Sequence, residues 1–129
     1  MENQDEKVIF LLDDDPFIQQ IIPEVLNQGG FEVRVYHSFL KMMDDIVLPP
    51  SLCIVDFYLE NMDGIDNGLD VINAIKNVNN EIPVILLSGM EPANLPFSLK
   101  GNIGGFRFIQ KNHHLFEKLT ETINELLLA

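Results

Sequence analysis

Val8-Ile9-Phe10-Leu11-Leu12-Asp13-Asp14-Asp15-Pro16 passes from five apolar residues directly into three carboxylates and a proline. An apolar run with no polar face reads as a strand covered on both sides, the pattern of a parallel sheet sandwiched by helices. Asp15 before Pro16 is a helix start, because aspartate caps the free N–H groups and proline has no N–H to lose at the first helical position. A buried strand therefore feeds a helix, and Asp13 and Asp14 are caught at the junction.

Four further runs repeat this logic at residues 31–36, 52–55, 84–87 and 106–109. Those at 8–12, 52–55 and 84–87 are almost continuously apolar, whereas Phe31-Glu32-Val33-Arg34-Val35-Tyr36 alternates as an edge strand does. Between them lie helix-period segments. Ile18, Ile21, Ile22, Val25 and Leu26 form one stripe, although Pro23 removes the donor for the Gln19 carbonyl, costs on the order of 3 kcal/mol and predicts a kink. Ser38 can cap a second helix running to Asp45, residues 69–78 carry a third, and Phe116, Leu119, Ile123 and Leu126 line a last one. Pro92, Pro96 and the glycines before Phe106 leave room only for a short or irregular fourth helix. Strict alternation of strand and helix predicts a single α/β domain over residues 1–129, a (βα)5 doubly wound parallel sheet with right-handed crossovers.

Composition narrows the function classes. Twenty acidic against eight basic residues give a formal charge of -12, which disfavours direct contact with nucleic acid or anionic membranes. The chain contains no apolar run long enough to span a bilayer and opens on polar, acidic residues rather than a secretory signal. Cys53 stands alone between apolar neighbours, so it reads as a small buried hydrophobe in a reducing, cytoplasmic setting.

In doubly wound sheets ligands bind beyond the carboxyl ends of the strands, near the point where strand order reverses. Here those ends carry Asp13, Asp14 and Asp15, then Asp56, then Ser88, then Lys111. Clustered carboxylates repel one another, and a hard dication with oxygen ligands, Mg²⁺ above all, relieves that repulsion. Magnesium keeps waters and favours phosphate oxygens, so a phosphorylated species is expected beside it, with Ser88 donating to one phosphoryl oxygen and Lys111 neutralising another.

The run ending in Asp13-Asp14-Asp15-Pro16, then Ile54-Val55-Asp56, Met62-Asp63-Gly64, Leu87-Ser88-Gly89 and Lys111, resembles the receiver domain of two-component response regulators over nearly the whole chain. The resemblance implies the flavodoxin-like strand order 2-1-3-4-5. It also implies Asp56 as phosphoacceptor, Asp13, Asp14, Asp56 and the Tyr58 backbone carbonyl as Mg²⁺ ligands, Ser88 and Phe108 as the switch pair, and Lys111 as the phosphate-binding lysine. The donor would be a sensor histidine kinase or a histidine phosphotransfer protein. The output would be an altered protein-binding surface, which could include a homodimer, and the domain would promote its own modification rather than turnover. Three departures stand out: Glu60 and Asn112 occupy positions where the family usually has proline, and residues 65–67 look like part of a four-residue insertion. Without proline at 112, a trans peptide is expected before it.

Simpler readings compete at several positions. Asp63 in Met-Asp-Gly is a turn residue, His37, His113 and His114 have no metal-ligand spacing, Met42 and Met43 fill core, and the glycines from Gly101 to Gly105 precede a strand rather than a helix. Among whole-chain alternatives, a pseudo-receiver acting as a phosphorylation-independent binding module is favoured by Glu60, Asn112 and the disrupted fourth helix. An aspartate-nucleophile phosphatase would need an acid two residues past Asp56, where Tyr58 stands. A flavin mononucleotide binder would need a phosphate-cradling loop that no strand end offers.

Overall fold

The computed structural model describes residues 7–59, 62–95 and 105–128. Five strands, β1 (Lys7–Leu12), β2 (Phe31–Tyr36), β3 (Leu52–Asp56), β4 (Val84–Ser88) and β5 (Phe106–Gln110), form one parallel sheet in the order β2-β1-β3-β4-β5. Helices α1 (Pro16–Gln28), α2 (Phe39–Asp45), α3 (Gly68–Val78) and α4 (Leu115–Ile123) connect or follow them. The strand order and the doubly wound plan are those expected from the sequence.

Alternating side chains of each strand feed two cores. Ile9, Leu11, Ile54, Ile85 and Leu87 pack with Ile18, Ile22 and Leu26 of α1 and Leu115, Leu119 and Ile123 of α4. Phe10, Leu12, Cys53, Val55 and Leu86 face the other way, onto Met42 of α2 and Val71, Ile72 and Ile75 of α3. Every residue of β3 and β4 is buried, which is why these strands carry no polar alternation. Both runs extend one residue further than their apolar stretch, because Asp56 and Ser88 still join the parallel ladder to β4 and β5.

Local chemistry sets the helix ends. Asp15 caps α1, its carboxylate accepting from Phe17 N at 2.9 Å, and the helix continues through Pro23. Ser38 caps α2, accepting from Lys41 N. Asn67 caps α3 by accepting from the N–H groups of Leu69 and Asp70. Residues 62–67 thus form a compact turn, closed by a Met62–Ile65 bridge and delivering a helix cap at Asn67. Asp63, at φ 55, and Gly64, at φ 79, make that turn in the left-handed region that asparagine, aspartate and glycine enter most readily. Asp63 also reaches across to α2, where its carboxylate accepts from Ser38 Oγ at 2.7 Å and Leu40 N at 3.1 Å.

Between β4 and β5 the described residues hold only a 3₁₀ turn, Pro92–Asn94; Pro96 and the glycines at 101 and 104 lie outside the described residues, as does Glu60. The last helix ends earlier than its apolar spacing suggests. Beyond Ile123 it widens into a π-helical turn, Asn124–Leu128, which lets both Leu126 and Leu127 pack against the α1 and α4 core.

Candidate functional site

Strand order reverses at β1, which has β2 on one side and β3 on the other, so a crevice opens beyond the carboxyl ends of β1 and β3. Asp13 and Asp56 stand at those two ends, Ser88 ends β4, and Lys111 follows β5. Among the described residues Asp13, Asp56 and Ser88 are the buried polar ones, whereas Asp14 is exposed at the mouth. One carboxylate oxygen from each of Asp13, Asp14 and Asp56 falls within 4.8 Å of the others.

Lys111 Nζ lies between the two buried acids, 2.9 Å from Asp13 Oδ2 and 3.1 Å from Asp56 Oδ1. Its position is fixed by the backbone, since Lys111 N donates to Ser88 O at 2.7 Å. Asn112 takes over the shaping of this loop: its side chain accepts from His114 N and its carbonyl from Leu115 N, an Asx-type turn leading into α4. The peptide before Asn112 is trans, as its lack of proline predicts.

One ammonium does not neutralise three carboxylates. Burial, reinforced by the negative charge of Asp13, outweighs Lys111 and pushes the Asp56 carboxyl up to about 7. Asp13 is also held above the usual carboxylate range by burial, against the pull of the Asp15 backbone N–H and Lys111. Burial disfavours the charge on Lys111, yet the two carboxylates together hold its ammonium above the ordinary lysine value. Asp13 Oδ2 is buried and has the Lys111 ammonium beside it at 2.9 Å. Its partner Oδ1 is satisfied by Asp15 N at 2.9 Å. Three carboxylates facing a single ammonium, two of them buried, fit a hard divalent cation such as Mg²⁺, which would take oxygen ligands from Asp13, Asp14 and Asp56.

The response regulator receiver domain profile matches residues 9–124. The chain belongs to that family. It is 26% identical over 111 residues to the response regulator protein TmoT of Ectopseudomonas mendocina, covering 84% of this chain and 48% of that protein. NtrX of Brucella abortus superposes with a TM-score of 0.79 at 23% identity, over 95% of this chain and 28% of its own. TrrA of Thermotoga maritima, solved in complex with Mg²⁺ and BeF, superposes with a TM-score of 0.75 at 24% identity, over 94% and 99% of the two chains. The receiver spans about half the length, or less, of the curated relatives it matches.

A receiver accepts a phosphoryl group on an aspartate with the help of a divalent cation and thereby switches a binding surface; Asp13, Asp14 and Asp56 are arranged for that chemistry. Around them, Ser88 Oγ accepts from Met90 N at 3.1 Å, and Tyr58 OH donates to Met90 Sδ at 2.8 Å, joining the loops after β3 and β4. Phe108 is half-buried on β5, packs against the α2 and α3 core, and borders a cavity of about 320 Å³ beside Pro92 and Lys118. His113 and His114 are exposed, their rings in tilted contact with centroids 4.0 Å apart. Two contributors were not singled out from the sequence. Gln19 of α1 donates from Nε2 to the Asp13 carbonyl, and Gly68 brings α3 against the Asp56 backbone. No helix among the described residues is long and apolar enough to cross a membrane.

Proposed function

We propose that Asp56 is the phosphoacceptor of this receiver and that a histidine kinase or histidine phosphotransfer protein supplies the group. The observation that carries this reading is the buried Asp56 carboxylate at the strand reversal, 3.1 Å from Lys111 Nζ and clustered with Asp13 and Asp14. An Asp56 oxygen forms a bond to phosphorus as the donor's P–N bond breaks, its electron pair leaving with the imidazole. Asp13, Asp14, Asp56 and the Tyr58 carbonyl would hold Mg²⁺, which when bound would supply positive charge to the phosphoryl oxygens. Lys111 pairs with another phosphoryl oxygen, drawn from its present partners Asp13 and Asp56, and the Ser88 hydroxyl donates to a third. Reorientation of Ser88 releases the Met90 N–H, and Phe108 has a neighbouring cavity into which its ring can turn, which couples the modification to the surface around β5.

The test is intact-mass spectrometry after incubation with acetyl phosphate and Mg²⁺. The wild type should gain one phosphoryl group, about 80 Da, and Asp56→Asn none. An unmodified wild type would return the chain to a phosphorylation-independent binding module.

A further inference from the structure

We infer that Gln19 is a positioning residue for the cation site, holding the peptide between Asp13 and Asp14 through a side-chain amide that His37 keeps oriented. The inference rests on reading Asp13, Asp14 and Asp56 as cation ligands.

The β1 ladder ends at Leu12, which pairs with Tyr36 on one side and Val55 on the other. The Asp13 carbonyl therefore lies beyond the sheet, where no strand neighbour is registered to it. Gln19 Nε2 donates to it at 2.7 Å. A carbonyl can only accept, so the nitrogen end of the amide must face it; the orientation is dictated by chemistry. The same nitrogen lies 3.2 Å from His37 Nδ1. With one amide hydrogen on Asp13 O, the other is directed at His37, whose Nδ1 must then be the bare, accepting nitrogen and Nε2 the protonated one. Two simultaneous acceptors remove the freedom an amide pinned at a single point would keep.

The consequence falls on Asp14. Asp13 is fully buried and its side chain is held by packing, by Asp15 N and by Lys111. Asp14 is exposed, and the peptides on either side of it set the point from which its carboxylate enters the cluster. That backbone is clamped on both sides: the carbonyl before it by Gln19, and the N–H after it, on Asp15, by Asp13 Oδ1 at 2.9 Å. Rotating the first peptide would swing the Asp14 carboxylate out of the 4.8 Å cluster. Gln19 touches no ligand atom of the cluster; it acts through the peptide that places one.

The experiment is a titration of the whole chain with Mg²⁺ alone at pH 8, followed by amide ¹H–¹⁵N spectra, which report folding and binding together. Gln19→Met, of similar length but without a donor, should weaken Mg²⁺ binding about five-fold or more while the spectrum stays dispersed. His37→Phe should weaken it about two-fold in the wild type and not further in the Gln19→Met background, since His37 acts only through Gln19. A purely structural role for either residue would make the two effects additive. If Gln19→Met does not fold, Gln19→Leu, which also lacks the donor and adds no charge, is titrated instead. Wild-type affinity in the Gln19 variant, or additive effects in the pair, overturns the inference. Asp14→Ala separates the two levels: unchanged binding in that variant sinks the cation site itself, whereas lost binding there with intact binding in Gln19→Met sinks only the role given to Gln19.

Discussion

In the cation-free protein, Asp56→Asn should stabilise the fold at alkaline pH and lose that advantage on acidification. The Asp56 carboxyl is almost fully buried and pushed up to about 7 from its ordinary 3.8, chiefly by burial and then by Asp13. A raised carboxyl pKa means that the native state holds a proton that the unfolded chain has already released. Between roughly pH 4 and 7 the unfolded state thus binds fewer protons, and stability falls as pH rises through the folded value. A shift of about three units corresponds to a ceiling of about 4 kcal/mol of strain from the ionised group at pH 8. The amide also forfeits the Lys111 contact at 3.1 Å, which offsets about 1 kcal/mol or more. The expected net gain for Asp56→Asn is therefore about 2 kcal/mol at pH 8.

Urea denaturation followed by circular dichroism, with a divalent chelator present, reads this directly. A gain of that size moves the midpoint by about 1 M for a slope near 2 kcal/mol per molar. At pH 5 wild-type Asp56 is largely protonated in the folded state, so the gap should shrink by about 3 kcal/mol and the order invert. Saturating Mg²⁺ at pH 8 should also narrow it, because the cation binds the folded wild type preferentially and Asp56→Asn has lost a ligand. A gap that stays constant from pH 5 to pH 8 would refute the burial and repulsion assigned to this carboxylate.

Two more outcomes follow from the same geometry. Gly68→Ala should destabilise the fold by about 1–3 kcal/mol in urea denaturation, because its Cβ would come within 2.4 Å of the Asp56 carbonyl and 2.9 Å of Leu86 Cδ1; a loss below about 0.3 kcal/mol would mean that α3 does not bear on the site. Tyr58 and Met90 meet through a 2.8 Å hydrogen bond and offer no carboxylate or amide to orient a water for hydrolysis, so Tyr58→Asn with Met90→Glu should shed the phosphoryl group at least several-fold faster, about 1 kcal/mol or more off the barrier, as read from the decay of the phosphorylated mass after donor removal; equal decay would place these side chains outside the water's approach.

The parts of this fold legible in the sequence are those where one physical effect dominates. A residue in β3 or β4 is buried whichever way it points, so apolar continuity alone marks both strands. The charged residues that end them are legible for the converse reason: Asp13 and Asp56 carry a desolvation cost that only a functional cluster repays, and their order along the chain then points to one crevice. Strand boundaries drift by one residue because the parallel ladder does not depend on side-chain polarity, and so includes Asp56 and Ser88.

What escapes is whatever depends on a polar side chain meeting a group remote in sequence. Gln19 looks like any solvated residue on the outer face of an amphipathic helix, and nothing in its neighbourhood announces a carbonyl six positions earlier and a histidine on the far side of β2. Asp63 is legible as a turn residue from Met-Asp-Gly, yet its carboxylate also holds Ser38 and Leu40 at the start of α2. Asn112 reads as a missing proline, although its side chain builds a different turn in the same place. Gln19 and Asp63 share a cause: their bonds to His37, Ser38 and Leu40 form only after β1, β2 and β3 have been brought to one end of the sheet, so the geometry belongs to the topology. Asn112 bonds locally, two residues on, and there the family's proline draws attention away from the turn that asparagine makes by itself. The charged centre can therefore be found by asking which residues are too costly to bury without a purpose. Its supporting shell can be found only by asking, atom by atom, where each backbone carbonyl and N–H around that centre is satisfied.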